Sequence, residues 1–284
     1  LRDTLFFFPT YRPPSTPIGL HAPYRSYTAL CHLGASGGPR ACAHAFQRSF
    51  RQKRVGPLSG AAARPPQHLR EVVSGLRRLP NLWGMVITIP HKETMLALVD
   101  EVREGARLVG AANAIRVAPD GRLIADNFDG LGLVDAMRAD GIEPKGARIL
   151  QLGAGGAGKA TAFAFAQAGA AALTLYNREN ERAVALADAV KTAFPTCEVR
   201  AGTADPAGHD LIVNCTSLGM HEGDAPPLDL TLLRPTHTVV DIIATRDHTE
   251  LLVAARDLGC RYQNGLGMVV QQIERFIAFF DEGR

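Results

Sequence analysis

The 284-residue chain has little of what marks several whole classes of protein. Its five cysteines (Cys31, Cys42, Cys197, Cys215 and Cys260) are odd in number, scattered and without C-x-x-C spacing, which argues against a disulfide framework or a zinc site, and no metal is expected. No apolar run approaches the ~18 residues of a spanning helix, so no membrane association is expected, and the run Leu5 to Phe8 is too short for a signal-peptide core. A formal charge of +3 is small and spread out, which excludes a nucleic-acid-binding surface as the main reading. Internal repeats and low-complexity tracts are absent. What is present is an ordinary globular balance, 46% hydrophobic and 21% charged residues, in a chain long enough for two domains. A reducing cytoplasm is the simplest setting for it.

The stretch Arg148 to Arg182 is the most informative. Arg148 to Leu152 is a short apolar run, glycines follow at once, and Lys159 to Ala170 is rich in Ala and Phe without Pro, so the order reads strand, tight turn, helix. Ala172 to Tyr176 then closes a βαβ unit. Gly153, Ala154, Gly155, Gly156, Ala157 and Gly158 satisfy G-x-G-x-x-G: the first glycine makes the turn, the second admits a pyrophosphate to the backbone, and the third lets helix and strand pack closely. The phosphates would rest on the helix N-terminus. Gly153 to Lys159 also spells G-x-x-x-x-G-K, but a nucleoside-triphosphate loop needs Ser or Thr next, and the next residue is Ala160.

The residue that reads the adenosine ribose is expected ~20 residues after the first glycine. An NAD enzyme carries Asp or Glu there; this chain has Asn177 and Arg178, with Arg182 one turn further on. Two guanidiniums on one spot suit a 2′-phosphate, so NADP is the expected cofactor, with Glu179 as a competing charge. Two solvated arginines at a helix start are the alternative.

Elsewhere, residues 1 to about 66 show no sustained period of 2 or 3.6 and read as an irregular segment. From His68, Leu69, Val72, Val73, Leu76 and Leu79 share a helical face. Gly84 to Ile89 reads as a buried strand, Glu93 to Val102 as a helix, and Ala112 to Val117 with Arg122 to Asp126 as a hairpin. Leu131 to Ala139 is helical, Gly141 to Gly146 a linker, and Cys197 to Ala201, Asp210 to Asn214 and Thr238 to Ile243 further parallel strands. The loop Asn214 to Met220 follows the C-terminal end of a strand, where open α/β sheets bind ligands. Met268 to Phe280 is the last helix.

Six motifs in order, TIPHK (Thr88 to Lys92), GAANAI (Gly110 to Ile115), DNFDG (Asp126 to Gly130), GAGGAG with NR, NCTSLGM and NGLGMVVQQ (Asn264 to Gln272), make the chain resemble the shikimate dehydrogenase family over roughly Leu69 to Phe280. The resemblance implies NADP-linked interconversion of shikimate and 3-dehydroshikimate, or of a related hydroxy acid such as quinate. It also implies a two-domain α/β fold: a substrate domain over residues 1–140, a Rossmann-type NADP-binding domain over 147–262, and a C-terminal helix within 263–284 that returns to the first domain. By position, Lys92 matches the family's catalytic lysine and Asp129 its partner carboxylate, while Thr88, Asn113 and Gln272 match substrate contacts. The glycine loop from Gly153 to Gly158, Asn177, Arg178, Arg182 and Thr216 match cofactor contacts, with Met220 and Gly265 at the nicotinamide end. A homodimer is an assembly this reading leaves open.

The chemistry also follows from the residues alone. Reducing a ketone takes a hydride and a proton, and a positioned ammonium held by a carboxylate supplies the proton. A surface ion pair is the competing account of Lys92 and Asp129. His91 beside Lys92 is a weaker candidate base because neighbouring strand-end residues point to opposite sides, and Cys215 reads as a packing residue. Three positions depart from the family pattern: Val86 stands for an asparagine, Phe128 for a threonine and Ala244 for a tyrosine. The family's Ser-x-Ser-Pro loop is not found in residues 1 to 66. A sheet without its opening strand, a poorly packed segment before His68 and weak turnover of shikimate are therefore expected. An NADP-binding protein without turnover and a dehydrogenase for another small carbonyl compound are the alternatives.

Overall fold

Short apolar strands bounded by turns must find partners, and here they do so in two open sheets. The computed structural model describes residues 29–33, 56–58, 68–79, 82–88 and 90–282. The first sheet contains β1 (Ala29–Leu33), β2 (Gly56–Leu58), β3 (Leu82–Ile87), β4 (Glu101–Val102), β5 (Ala114–Val117) and β6 (Leu123–Asp126), in the order β2-β1-β3-β5-β6-β4. β1 runs parallel to β2 and β3, whereas β5 is antiparallel to β3 and β6. Helices α1 (Leu69–Leu76) and α2 (Glu104–Val109) cover one face, where Leu69, Val73, Met85, Ile87, Ile115 and Ala106 form one apolar cluster.

Two expectations are corrected here. The sheet does not lack its opening strand, because ALCHL and GPL within residues 1 to 66 pair beside β3. A five-residue, mostly apolar strand shows no alternation when both its neighbours are parallel, and Pro57 sits on the edge strand, where a missing N–H costs least. The segment Glu93 to Val102 is not one helix either: a 3₁₀ turn spans Thr94–Leu98 and β4 follows. The backbone amides of Asp100 and Arg103 donate to Leu123 and Ala125 at 2.9 Å each, so sheet pairing captures the chain before a helix completes. The sought serine loop falls outside the described residues.

The second sheet holds β7 (Arg148–Leu152), β8 (Ala172–Tyr176), β9 (Glu198–Ala201), β10 (Leu211–Asn214), β11 (Thr238–Asp241) and β12 (Arg261–Gln263). All its pairs are parallel and the order β9-β8-β7-β10-β11-β12 is the 3-2-1-4-5-6 order of a dinucleotide-binding sheet. Leu173 and Leu175 pack on one face against α4 (Gly156–Gln167) and α5 (Asn180–Ala193); Leu150, Leu152 and Ile212 pack on the other with Leu251 and Leu252 of α6 (Glu250–Asp257).

Two helices join the sheets. In α3 (Asp129–Ala139) two glycines permit close approach: a Cβ on Gly130 would overlap the carbonyl oxygen of Ala160 in α4. A Cβ on Gly132 would overlap Gln272 of α7 (Leu266–Asp281). α7 returns to the first sheet and buries Ile273, Phe276, Ile277 and Phe280 with Ala114 and Ile124, each large side chain contributing about 1.5–3 kcal/mol. Beyond its end, Glu282 accepts from the Arg103 guanidinium, and its carbonyl accepts from Arg116 Nη1 at 2.8 Å.

Candidate active site

Lys92 lies just beyond the C-terminal end of β3, in a turn fixed from two sides. The amide of His91 donates to the Thr88 carbonyl at 3.0 Å, and the amide of Ala112 donates to the Lys92 carbonyl at 2.8 Å. The amide of Ile87 donates to Asn113 in the same way, so strand β3 and the approach to β5 hold the lysine between them. Lys92 Nζ is 2.5 Å from Asp129 Oδ2. Asp129 is buried at 6% exposure, and the Lys92 side chain keeps 24%, so this pair is partly withdrawn from water but reachable from the lysine side.

The orientation of Asp129 is over-determined. Asn113 Nδ2 donates to Asp129 Oδ1 at 2.9 Å, while Asn113 Oδ1 accepts from the Phe128 amide at 2.9 Å, which leaves the Asn113 amide one orientation. Asn127 Oδ1 accepts from the Asp129 amide at 3.0 Å, and Asn127 Nδ2 donates to the Ala111 carbonyl at 2.9 Å. Asp129 also opens α3, where the helix dipole favours a carboxylate. Asn127 was not singled out from the sequence; a polar residue at 5% exposure just past a strand end is the signal that identifies it.

Of the other substrate-contact candidates, Thr88 is half-buried at the end of β3, and Gln272 is buried on α7 against Gly132. Phe128 packs edge-on against Phe276 and Phe279, ring centroids 5.9 and 5.4 Å apart, so this departure faces the α7 core. His91 is buried at 1% exposure, with Nδ1 lacking a hydrogen-bond partner among the described residues. Cys215 is buried against the Thr161 hydroxyl and its thiol is pushed up to about 12 by desolvation, which makes it an inert packing group.

The glycine loop has the shape a dinucleotide requires. Gly153 sits at φ +105°, where a Cβ would lie 2.9 Å from the Cys215 backbone, and a Cβ on Gly158 would overlap the Gly153 carbonyl. Gly155 and Gly156, by contrast, have nothing within 4 Å of a Cβ, so their backbone faces open space at the start of α4. Ala154 donates to Asn177 Oδ1 at 3.1 Å, which ties the loop to the end of β8; Ala157 is half-buried in the first turn of α4. Arg178 is exposed, and Arg182 Nε lies 2.9 Å from Glu179, an exposed pair of the kind that contributes ~0–1 kcal/mol. These residues fit an NADP adenosine moiety.

Beside the glycine loop, at the same C-terminal edge of the sheet, a buried network shapes the loop after β10. Asn214 Nδ2 donates to Asp241 Oδ1 at 3.1 Å, and Thr249 Oγ1 donates to Asp241 Oδ2 at 2.7 Å. Asn214 Oδ1 accepts from the amide and hydroxyl of Thr216 at 3.0 and 2.7 Å. Burial raises the Asp241 carboxyl above its ordinary range. Met220 is exposed on this loop, and Gly265 is pressed so closely on Ile242 that a Cβ would overlap its carbonyl. Asp241 too escaped notice in the sequence, although it ends an apolar strand run.

A parallel 3-2-1-4-5-6 sheet with a glycine loop, joined to a mixed sheet carrying a lysine–aspartate pair, defines a two-domain α/β dehydrogenase. A sequence profile described as the shikimate dehydrogenase substrate binding domain matches residues 38–115, reaching well into the stretch that reads as irregular. The chain is 39% identical to the shikimate dehydrogenase (NADP(+)) of Symbiobacterium thermophilum, with 79% of each chain covered. In structure it is similar to shikimate 5-dehydrogenase from Thermus thermophilus in complex with NADP(H) and shikimate, at TM-score 0.80 and 29% identity, covering 89% of this chain and 93% of that one. It is also similar to the ligand-free 5-ketofructose reductase of Gluconobacter, at TM-score 0.80 and 28% identity, covering 91% and 94%. This chain belongs to the shikimate dehydrogenase family.

Proposed function

We propose that the protein interconverts shikimate and 3-dehydroshikimate with NADP, in the cytoplasm, and that Lys92 and Asp129 carry the proton side of the reaction. The observation that carries this reading is the Lys92–Asp129–Asn113 chain of contacts, in which Lys92 keeps the most exposure. Bound NADPH supplies the hydride to the carbonyl carbon. Lys92 then gives a proton from Nζ to the developing alkoxide, and Asp129, held by Asn113 and Asn127, keeps that ammonium aimed. In the oxidative direction neutral Lys92 takes the hydroxyl proton back. Thr88, Asn113 and Gln272 border the substrate, with Asn113 also serving Asp129.

In this reading residues 1–140 form the substrate domain, 147–262 the NADP-binding domain, and the helix within 263–284 closes on the first. Gly153 to Gly158, Asn177, Arg178 and Arg182 hold the adenosine half of the cofactor; Thr216, Met220 and Gly265 border its nicotinamide end. The expectation of weak turnover rested in part on a missing opening strand, and β1 removes that premise; the serine loop lies outside the described residues, and the departures at Val86, Phe128 and Ala244 stand. The likeness to 5-ketofructose reductase gives a second reading, a reductase for another polyhydroxy ketone. Spectrophotometric assay of NADP reduction with shikimate and quinate, and of NADPH oxidation with 5-ketofructose, separates the two. No NADP reduction with shikimate would overturn the first.

A further inference from the structure

One residue of the glycine loop is left without a role by everything above. Lys159 completes G-x-x-x-x-G-K, a spacing whose lysine reaches phosphate oxygens in nucleotide loops, yet Ala160 excludes the metal chemistry of that motif. The lysine is half-buried in the first turn of α4, where its amide donates to the Gly155 carbonyl at 2.8 Å, and among the described residues its ammonium makes no hydrogen bond or ion pair. Helix side chains lean toward the N-terminus, so its ammonium is carried back over the turn where Gly155 and Gly156 expose their backbone.

A cleft of about 560 Å³ opens there, and Lys159 lines it together with Gly155, Gly156 and Arg182. Arg182 is the cation whose charge Glu179 partly cancels at 2.9 Å. Glu93 borders the same cleft, so the site holds two cations and two carboxylates before Arg178 is counted. A dianion is poorly served by Arg182 alone under those conditions. An unpaired ammonium on the facing helix restores the positive balance.

We propose that Lys159 is a specificity-determining residue, the cation that, opposite Arg178 and Arg182, binds the 2′-phosphate of NADP. This rests on the NADP reading above, and it adds a contact from the glycine-loop helix rather than from the end of β8. The cleft it shares with Arg182 assigns the ammonium to the 2′-phosphate, which NAD lacks, so its removal acts on NADP alone.

The test is fluorescence or calorimetric titration of the intact protein with NADP and with NAD, for wild type, Lys159→Met and Lys159→Arg. Lys159→Met is expected to raise the Kd for NADP roughly tenfold and to leave that for NAD within about twofold; a tenfold loss corresponds to ~1.4 kcal/mol, the scale of one charge-assisted contact. Lys159→Arg, which keeps the charge, is expected to retain most of the NADP affinity. Equal losses for both cofactors would place Lys159 on the pyrophosphate and overturn the proposal, as would unchanged binding of NADP by Lys159→Met. A wild-type protein that binds NAD more tightly than NADP would instead count against the NADP reading itself, whatever the variants do. Circular dichroism of each variant separates a local charge loss from misfolding, and Lys159→Arg supplies the folded control.

Discussion

Replacing Asp129 by Asn is the sharpest test of the catalytic geometry, because the surroundings dictate what the new amide must face. Asp129 now accepts from two donors, Lys92 Nζ at 2.5 Å on Oδ2 and Asn113 Nδ2 at 2.9 Å on Oδ1. Asn113 cannot turn over to help, since its own oxygen already accepts from the Phe128 amide. An asparagine offers one oxygen, so whichever way it turns, its NH₂ confronts a donor and the ammonium loses its countercharge. A hydrogen bond to a charged group contributes about 1.5–3 kcal/mol, which in the barrier is a loss of roughly 10- to 150-fold in kcat. The fold should survive with Tm lowered by only a few degrees, about 2–4 °C per kcal/mol in a chain of this size. The assay is steady-state reduction of NADP by shikimate beside a binding titration of NADP. A variant whose kcat stays within twofold of wild type while Tm falls would show the pair to be structural, and the proton role of Lys92 would have to be abandoned.

Lys92→Met should lower kcat by ~10²-fold or more with cofactor affinity unchanged; near-normal turnover would assign Lys92 to binding. Arg178→Ala should weaken NADP and spare NAD, and Glu179→Thr, by freeing Arg182, should raise the preference for NADP, both read by titration. Asp241 has a folded-state pKa raised by burial, so its contribution to stability is fully present below the unfolded carboxyl pKa of about 4 and is lost as pH rises through the folded value. Thermal melts from pH 4 to 7 should therefore show wild type gaining on Asp241→Asn as pH falls, and a constant difference would refute it.

The glycine loop was legible because its constraint is local: strand, turn and helix are consecutive, and only glycine fits Gly153 and Gly158. The proposed catalytic pair, Lys92 and Asp129, is 37 residues apart in sequence, and neither residue carries a local signal; motif resemblance singled them out, and the structure brings them into contact. Strand β1 was not legible, since a strand flanked by parallel partners needs no alternation. The error at Glu93 to Val102 has the same origin, because nonlocal pairing with β6 outweighed a helical pattern. Asn127, Asn214 and Asp241 were overlooked for a different reason: each is a buried polar residue that works on the backbone or on another polar group, and burial cannot be read from one sequence.

The arrangement as a whole turns on α3. Its first residue is Asp129, its second is the glycine that lets it touch the carbonyl of Ala160 on the glycine-loop helix, and its fourth is the glycine that admits Gln272. Asp129 and the glycine-loop helix are therefore set relative to each other by the close approach of Gly130 to the Ala160 backbone, while Gly132 leaves room for the Gln272 side chain of α7. A methyl on Gly130 would have to push α4 away by more than a close-packed interior tolerates, typically 1–3 kcal/mol of strain. Relief of that strain by separating the helices would shift Asp129 and Lys92 relative to the glycine loop, and misplacement by 1 Å can cost ~10²-fold in rate. Glycine at these two positions thus serves distance rather than flexibility: α3 is a spacer whose N-terminal carboxylate is positioned by the same packing that fixes the glycine-loop helix.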